Sequence, residues 1–366
     1  MFGLKAVSVK LKVTGNVKHT KMNEKHNKTN KVSLAQVARE AGVSKMTASR
    51  VLRGEGGYSE KTREKVMQKI DLLGYLPNRL ATVFAGDQTS TFVGVSIPNL
   101  GNEVFAQVLE GIDRKLGAFG HQTVLGLTQH TFEEEEAWIK TVLSWQPAGL
   151  ILTGRSHSPR AMEMLRSAGI PVVEIWDLNS SPLDMSVGIN HFDSGFAMGR
   201  YLMACGYKRL GYVGTYHDTA EAATARLDGF CKAVEDGGGL VIKQLCLHDT
   251  AAFYPGFYGT EQLLAADSAV ECVFYQNDSM AFGGFQYCTG KGLRVPDDIG
   301  IAGWGDLPVA SVMNIRLTSM RVAHLRLGQV AAEMMISRLS GEPVESAKDI
   351  GFQLIPGSTV RRPDET

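Results

Sequence analysis

The sequence predicts a small all-α headpiece followed by an α/β core of two doubly wound lobes built on parallel sheets. Charge is the first observation behind that reading. The chain has 366 residues and is neutral overall, with 38 Lys+Arg and 38 Asp+Glu. Residues 1–80 nevertheless hold 17 basic against 6 acidic side chains, which leaves 21 against 32 for the remainder. Periodicity is the second observation. Apolar residues recur at helical spacing up to Leu73, and from Phe92 short apolar runs alternate with amphipathic stretches, the rhythm of βαβ units. That rhythm begins twice, near Phe92 and near Phe192, and two series mean two lobes. The 44% hydrophobic content excludes a largely disordered chain, and the length suits about two or three domains. No run of 18 or more apolar residues occurs, so no membrane span and no membrane partner are predicted. The polar, basic N-terminus does not read as a secretory leader, and five Cys without C-x-x-C spacing predict reduced thiols in a cytoplasmic protein.

Residues 1–31 are rich in Lys, Asn and Thr and predict a disordered basic extension. Over 32–76 the reading is a helix-turn-helix domain. Ser33 is a suitable N-cap, with Gln36 three residues on to complete a capping box. Leu34, Val37, Ala38 and Ala41 share one face, and Gly42 then breaks the helix where a left-handed residue is wanted. Ser44 caps a second helix whose Thr47, Ala48, Val51 and Leu52 pack back on the first. Two short helices joined by a turn of about three to four residues have the spacing of a DNA-binding helix-turn-helix. A third helix runs from about Glu60 to Leu73, with Val66, Ile70 and Leu73 inward and Lys61, Arg63, Lys65 and Lys69 outward. Residues 77–91 predict a hinge helix and linker. Pro77 breaks the chain and Asn78 can cap a short helix carrying Leu80, Ala81 and Phe84, too short to stand alone in water.

The core is expected over 92–360, with lobe 1 at about 92–189 and 319–350 and lobe 2 at about 190–318 and 351–360. Strands are expected at 92–97, 148–153, 170–175, 209–214, 271–275 and 299–304, with amphipathic helices between, among them 103–120 and His324–Leu339. Ligands of doubly wound sheets sit beyond the carboxyl ends of the strands. The residues just past those ends are therefore candidates: Asn99 and Asn102, Arg155 and His157, Trp176 and Asp177, Asn277 and Asp278, Trp304 and Asp306. They are polar and aromatic, as recognition of a polyhydroxylated ligand requires.

The order LAQVAREAGVSKMTASRVL, SEKTREKV, LGYLPNRLA resembles the headpiece of the lactose/galactose repressor (LacI/GalR) family. The core stretches VGVSIPNLGNEVFAQVLEGI, GLILTGRSHSP, ARLDGF, YQNDSMAFGGF and GLRVPDDIGIAGWGD resemble its effector-binding core, which shares its fold with periplasmic sugar-binding proteins. The resemblance implies a homodimeric repressor on double-stranded operator DNA, with the second helix in the major groove and paired hinge helices in the minor groove. Lys45, Met46 and Arg50 would then face base edges. Ser44, Thr47, Ser49 and Asn78 would contact phosphates or position the head, and Arg79, Ala81 and Phe84 belong to the hinge. Phe84 stands where the family usually has a wedging Leu, and an inserted Phe can also unstack a base step.

The resemblance also implies that Arg226 and Asn277 bind effector. Gly305 replaces an Asp that often binds ligand, with Asp306 next, and losing that carboxylate favours an acidic effector. The Lys45-Met46 pair, NEVFAQVLEGI, LSWQPAGLILT, RSHSPR and GIPVVEIWD are similar to the gluconate-operon repressor subgroup, which implies a sugar acid such as gluconate or a phosphorylated derivative. Arg226 and Arg155 would pair with its anionic group, Asn277, His157 and Asp177 with hydroxyls, and Phe105 and Trp304 would form apolar walls. Glu174, inside a strand, would orient an Arg. The expected dimer face is on lobe 1 near the 103–118 helix, and RRPDET has no apolar heptads to build a tetramer.

Catalytic, metal and cofactor roles are not expected, and the chain is not read as an enzyme. H-E-x-x-H, zinc-spaced Cys, G-x-x-x-x-G-K-[ST] and G-x-S-x-G are absent, and Ser156-His157, being adjacent, is no triad. The run Glu133–Glu136 reads as a solvated helix start. Two rivals remain: a periplasmic-type solute-binding protein, and a regulator of the same family answering a neutral sugar or other metabolite.

Overall fold

The computed structural model describes residues 32–76, 90–178, 181–216, 221–247 and 253–362. The expected extension over 1–31 and the hinge positions Asn78, Arg79, Ala81 and Phe84 lie outside the described residues. The chain divides into two units, taken separately below.

The first unit holds α1 (Leu34–Ala41), α2 (Lys45–Arg53) and α3 (Glu60–Leu73). Each starts under a serine. Ser33, Ser44 and Ser59 Oγ accept from the backbone N–H of Gln36, Thr47 and Thr62 at 3.2, 3.0 and 3.2 Å, satisfying donors that a helix start leaves bare. Each ends on a glycine in left-handed backbone, Gly42, Gly54 and Gly74, where a Cβ would be strained. The helices meet on Val37, Ala38, Ala48, Val51, Val66 and Ile70, whose larger members each contribute about 1.5–3 kcal/mol by burial.

The second unit contains two six-stranded sheets. Lobe 1 is built from β1 (Phe92–Ile97), α4 (Glu103–Ala118), β2 (Gln122–Leu127), α5 (Phe132–Ser144), β3 (Gly149–Thr153), α6 (Pro159–Ala168), β4 (Val172–Asp177) and β5 (Met185–Ile189). Lobe 2 follows with α7 (His191–Ala204), β6 (Arg209–Tyr216), α8 (Glu221–Asp236), β7 (Leu240–Leu247), α9 (Phe253–Ala266), β8 (Cys272–Tyr275), α10 (Asp278–Gly290), β9 (Gly300–Gly305), α11 (Pro308–Val312) and β10 (Thr318–Arg321). The chain then returns to lobe 1 for α12 (His324–Leu339) and β11 (Ala347–Asp349), and back to lobe 2 for β12 (Gln353–Ile355). The sheet orders are β11-β5-β4-β3-β1-β2 and β12-β10-β9-β8-β6-β7. All pairings are parallel except β10 with β12.

One boundary is corrected. Residues from 319 were expected in lobe 1, but β10 is hydrogen-bonded to β9, with Thr318 opposite Ala302 and Arg321 opposite Gly305. The return to lobe 1 therefore falls between β10 and α12. Three crossovers join the lobes: β5 to α7, β10 to α12 and β11 to β12.

The helix pairs flanking the sheets cross on reciprocal glycines. A Cβ on Gly111 of α4 would lie 2.2 Å from the Leu325 carbonyl oxygen of α12, and one on Gly328 would lie 2.0 Å from that of Val108. The same exchange joins α7 to α8 through Gly195 and Gly229, and α9 to α10 through Gly256 and Gly283. Only glycine admits backbones this close, and the contact excludes slippage as well as side chains.

Candidate functional site

Between the carboxyl edges of the two sheets lies a cavity of about 200 Å³. Both sheets reverse strand order between their first and third strands, β1/β3 and β6/β8, and such a switch point opens a crevice beyond the strand ends. Asn99, Phe105, Arg155, Trp176 and Asp177 line it from lobe 1, and Arg226, Gln276, Asn277 and Trp304 from lobe 2.

The lobe 2 wall is organised around Arg226. Its guanidinium is buried, stacked 3.9 Å above the Trp304 ring. Nη1 donates to His191 Nδ1 at 3.0 Å and Nη2 to the Gln276 carbonyl at 3.2 Å. Nε has no hydrogen-bond partner, and no carboxylate pairs with the side chain among the described residues. Burial pulls its pKa down to about 10, a large concession for a guanidinium. His191 must be neutral to accept that bond. Burial, and then the Arg226 charge, hold it well below the usual imidazole range, against a bond from Nε2 to the Trp176 carbonyl at 3.1 Å. His324, the first residue of α12, packs at 5.7 and 5.8 Å from the Trp176 and Trp304 rings. Burial and Arg226 bring it down to about 4. Asn277 caps α10 by accepting the Met280 N–H at 2.9 Å, which leaves its Nδ2 donor to the cavity. Asp278 behind it takes the Leu307 N–H and the Ser319 hydroxyl, each at 2.6 Å, and burial lifts its pKa to about 7.

The lobe 1 wall balances its own charges. His157 Nδ1 donates to Glu135 Oε2 at 2.9 Å, and its Nε2 lies 3.4 Å from Glu174 Oε1 without hydrogen-bond geometry. Burial disfavours the imidazolium, but the bond to Glu135 and the nearness of Glu174 outweigh it and raise the pKa to about 9. Arg155 Nε is 4.0 Å from Glu174 Oε2, and its Nη1 is 3.5 Å from the Asp177 carbonyl. Glu174 also accepts the Leu183 N–H at 2.7 Å. Two cations and two carboxylates thus share one buried cluster. Phe105 meets the Trp176 ring edge-on at 5.7 Å. Two non-glycine lining residues sit in left-handed backbone, Trp176 at φ 98° and His130 at φ 59°, and such strain concentrates at ligand sites.

In the headpiece, α2 turns Ala48 and Val51 inward and exposes Ser44, Lys45 and Met46, the last 72% exposed. Thr47 Oγ1 is 2.9 Å from Ser44 Oγ. Ser49 and Arg50 are half-buried, and a Cβ on Gly57 would lie 2.8 Å from Arg50 Nη2, so the guanidinium rests on the loop between α2 and α3. The first turn of α2 carries no acidic side chain, leaving its positive end open to phosphate.

Comparison with known proteins decides the family. The profile of bacterial regulatory proteins, lacI family, matches residues 33–78, and that of the periplasmic binding protein-like domain matches 200–360. The chain is 37% identical over 328 residues to the HTH-type transcriptional regulator GntR of Escherichia coli (strain K12), covering 89% of this chain and 98% of that one. A crystal structure of a LacI family transcriptional regulator from Silicibacter pomeroyi superposes with a TM-score of 0.84 at 34% identity, over 90% of this chain and 100% of the other. The lac repressor dimer bound to operator and the anti-inducer ONPF gives a TM-score of 0.77 at 26% identity, over 90% and 99%.

The chain belongs to the lacI family of bacterial regulatory proteins. It is a DNA-binding transcriptional repressor of that family, and the matched relatives are regulators rather than enzymes.

For a lacI-family core, the fold brings most of the expected cleft residues together and moves two away. Asn99, Asn102, Phe105, Arg155, Trp176, Asp177, Arg226, Asn277 and Trp304 all line the cavity. His157 does not. It lies behind the wall between two glutamates, spent on holding them rather than on a ligand hydroxyl. Asp306 also lies outside the lining, and pairs with Arg321 Nε at 2.6 Å. The acidic run read as solvated is partly buried, since Glu135 meets His157 and Glu136 accepts from Ser158 Oγ at 3.0 Å. Sequence reasoning missed His191, Gln276, Glu135, His130 and Glu221. Gln276, beside the Asn277-Asp278 pair, was the one with a signal in the sequence, its place directly after a strand.

Proposed function

We propose that the protein is a cytoplasmic homodimer that binds a pseudo-palindromic operator and is controlled by a sugar acid, such as gluconate or a phosphorylated derivative, in the interlobe cleft. The observation that carries the effector class is Arg226, a buried cation with no carboxylate partner among the described residues. A buried charge of this kind is costly until an anion arrives, and a carboxylate can take the fork of a guanidinium in two bonds. Trp304 and Phe105 supply apolar walls, and Asn277, Asn99 and Asp177 supply groups for hydroxyls.

On DNA, Lys45, Met46 and Arg50 would read base edges while Ser44, Thr47 and Ser49 fix the register through phosphates. Phosphate contacts supply salt-dependent affinity. Dimerisation is assigned to the lobe 1 face carrying α4, with exposed Leu100 and Phe119 at the two ends of that helix. The apolar side of α4 is already packed on α12. Effector binding couples to operator affinity by differing between the DNA-competent and released forms.

The test is a gel-shift titration on a palindromic operator with and without gluconate, alongside calorimetry with gluconate and glucose. Expected are operator binding that gluconate changes, and gluconate bound more tightly than glucose. A folded dimer that ignores DNA overturns the repressor assignment, and tighter binding of glucose overturns the sugar-acid assignment.

A further inference from the structure

We propose that Glu221 is a specificity residue that rejects a second anionic group, so that the cleft takes a mono-anionic polyhydroxy acid and discriminates against its phosphorylated or diacid counterparts. This rests on the sugar-acid reading above and narrows it.

Charge pairing decides how many anions the site can hold. Of the two arginines lining the cavity, Arg155 already faces Glu174, and the neighbouring His157 joins Glu174 to Glu135. That group is neutral as it stands. Arg226 alone offers an uncommitted positive charge among the described lining residues, so one anionic group is matched.

The position of the second group follows from the two α8 residues that line the cavity. Glu221 opens α8 and Arg226 lies five residues on, both lining the cavity. At 1.5 Å per residue they stand about 7.5 Å apart along the axis. Both side chains border the one cavity, so an acid held at Arg226 and extending toward the start of α8 comes to Glu221. Ser156 Oγ, from the lobe 1 loop after β3, donates to Glu221 across the cleft. That bond gives the carboxylate a neutral donor and no counter-charge. A hydroxyl can replace the serine as donor there, whereas a phosphate or carboxylate meets like charge from Glu221.

The experiment is calorimetry on the full-length dimer with gluconate, 6-phosphogluconate and glucarate, for the natural protein and for Glu221→Gln and Ser156→Ala. Glutamine keeps an acceptor for Ser156 but loses the charge, while Ser156→Ala keeps the charge and loses the bond. The natural protein should bind gluconate about 10-fold or more tightly than either dianion, about 1.4 kcal/mol. Glu221→Gln should close that gap by about 10-fold, and Ser156→Ala should preserve it. Equal or tighter binding of the dianions by the natural protein, or a ratio unmoved in Glu221→Gln, overturns the assignment while leaving a sugar-acid effector standing. Failure of all three acids to bind overturns both.

Discussion

The two walls of the cleft handle buried charge in opposite ways. On lobe 1, Arg155 and His157 are met by Glu174 and Glu135, and the cluster is complete without a ligand. On lobe 2, Arg226 has a ring, an imidazole nitrogen and a carbonyl for company, and no counter-charge among the described residues. A paired buried cluster acts as framework, and breaking it costs more than it ever contributed. An unpaired buried cation destabilises the empty protein, and on the function proposed an anion would relieve it. The contrast separates residues that build the site from residues that serve it, although all of them stand in the same cleft.

The largest expected effect tests the framework. Replacing His157 by Ala leaves Glu135 and Glu174 buried and facing each other, and should lower unfolding free energy by about 3–5 kcal/mol, read from denaturant melts. The same cluster should answer to pH. The His157 pKa is about 9 in the folded protein against 6.5 for a free imidazole. Its contribution, about 3 kcal/mol, is therefore fully present below pH 6.5 and lost as pH rises through 9. A pH series of melts should show that fall, and His157→Gln should flatten it. If the natural protein is equally stable at pH 6 and pH 9.5, the lobe 1 wall is not the framework described.

Arg226 should behave in the reverse sense. Arg226→Met should weaken gluconate binding by about 100-fold, about 2.8 kcal/mol, while the melting temperature of the empty protein holds or rises. A variant that loses both binding and stability would place Arg226 on the same footing as His157 and end the contrast. Outside the cleft the effects are smaller. Arg50→Ala should cost about 1–3 kcal/mol of operator affinity with relaxed preference at one base, measured by anisotropy on operator variants. Ser44→Ala removes the cap of α2 and should cost about 1 kcal/mol of headpiece stability.

Much of this architecture was legible because its causes are local. Ser33, Ser44 and Ser59 stand beside the helices they cap, and Gly42, Gly54 and Gly74 follow the helices they end. The bounds of α3 and α12 agree with the sequence reading for the same reason. Arg226 and Asn277 came from motifs, and the cavity holds both. What stayed hidden depends on contacts between distant residues. Nothing in the run Glu133–Glu136 says that its third member meets a histidine 22 positions later. Strand β11 is three exposed residues, Ala347–Asp349, made a strand only by pairing with β5. His191 and His324 look like ordinary helix starts until the fold sets them beside Trp176 and Trp304. Asp306 was misplaced because being next to a strand end does not settle which way a side chain leaves it, and Arg321 claims this one.

The reciprocal glycines have a mechanical consequence. Where α7 meets α8, a Cβ on Gly195 would fall 1.8 Å from the carbonyl oxygen of Arg226 itself. Arg226, the proposed anchor of the anion, is thereby clamped, backbone to backbone, to the helix that begins at the first crossover. On the function proposed, a ligand pulling on Arg226 would meet backbone rather than a soft side-chain layer at this crossing. The tug would pass to α7 as through a gear with no play, and so to the joint between the lobes. The glycines supply stiffness, and stiffness would let one salt link at the bottom of the cleft be felt where the lobes join.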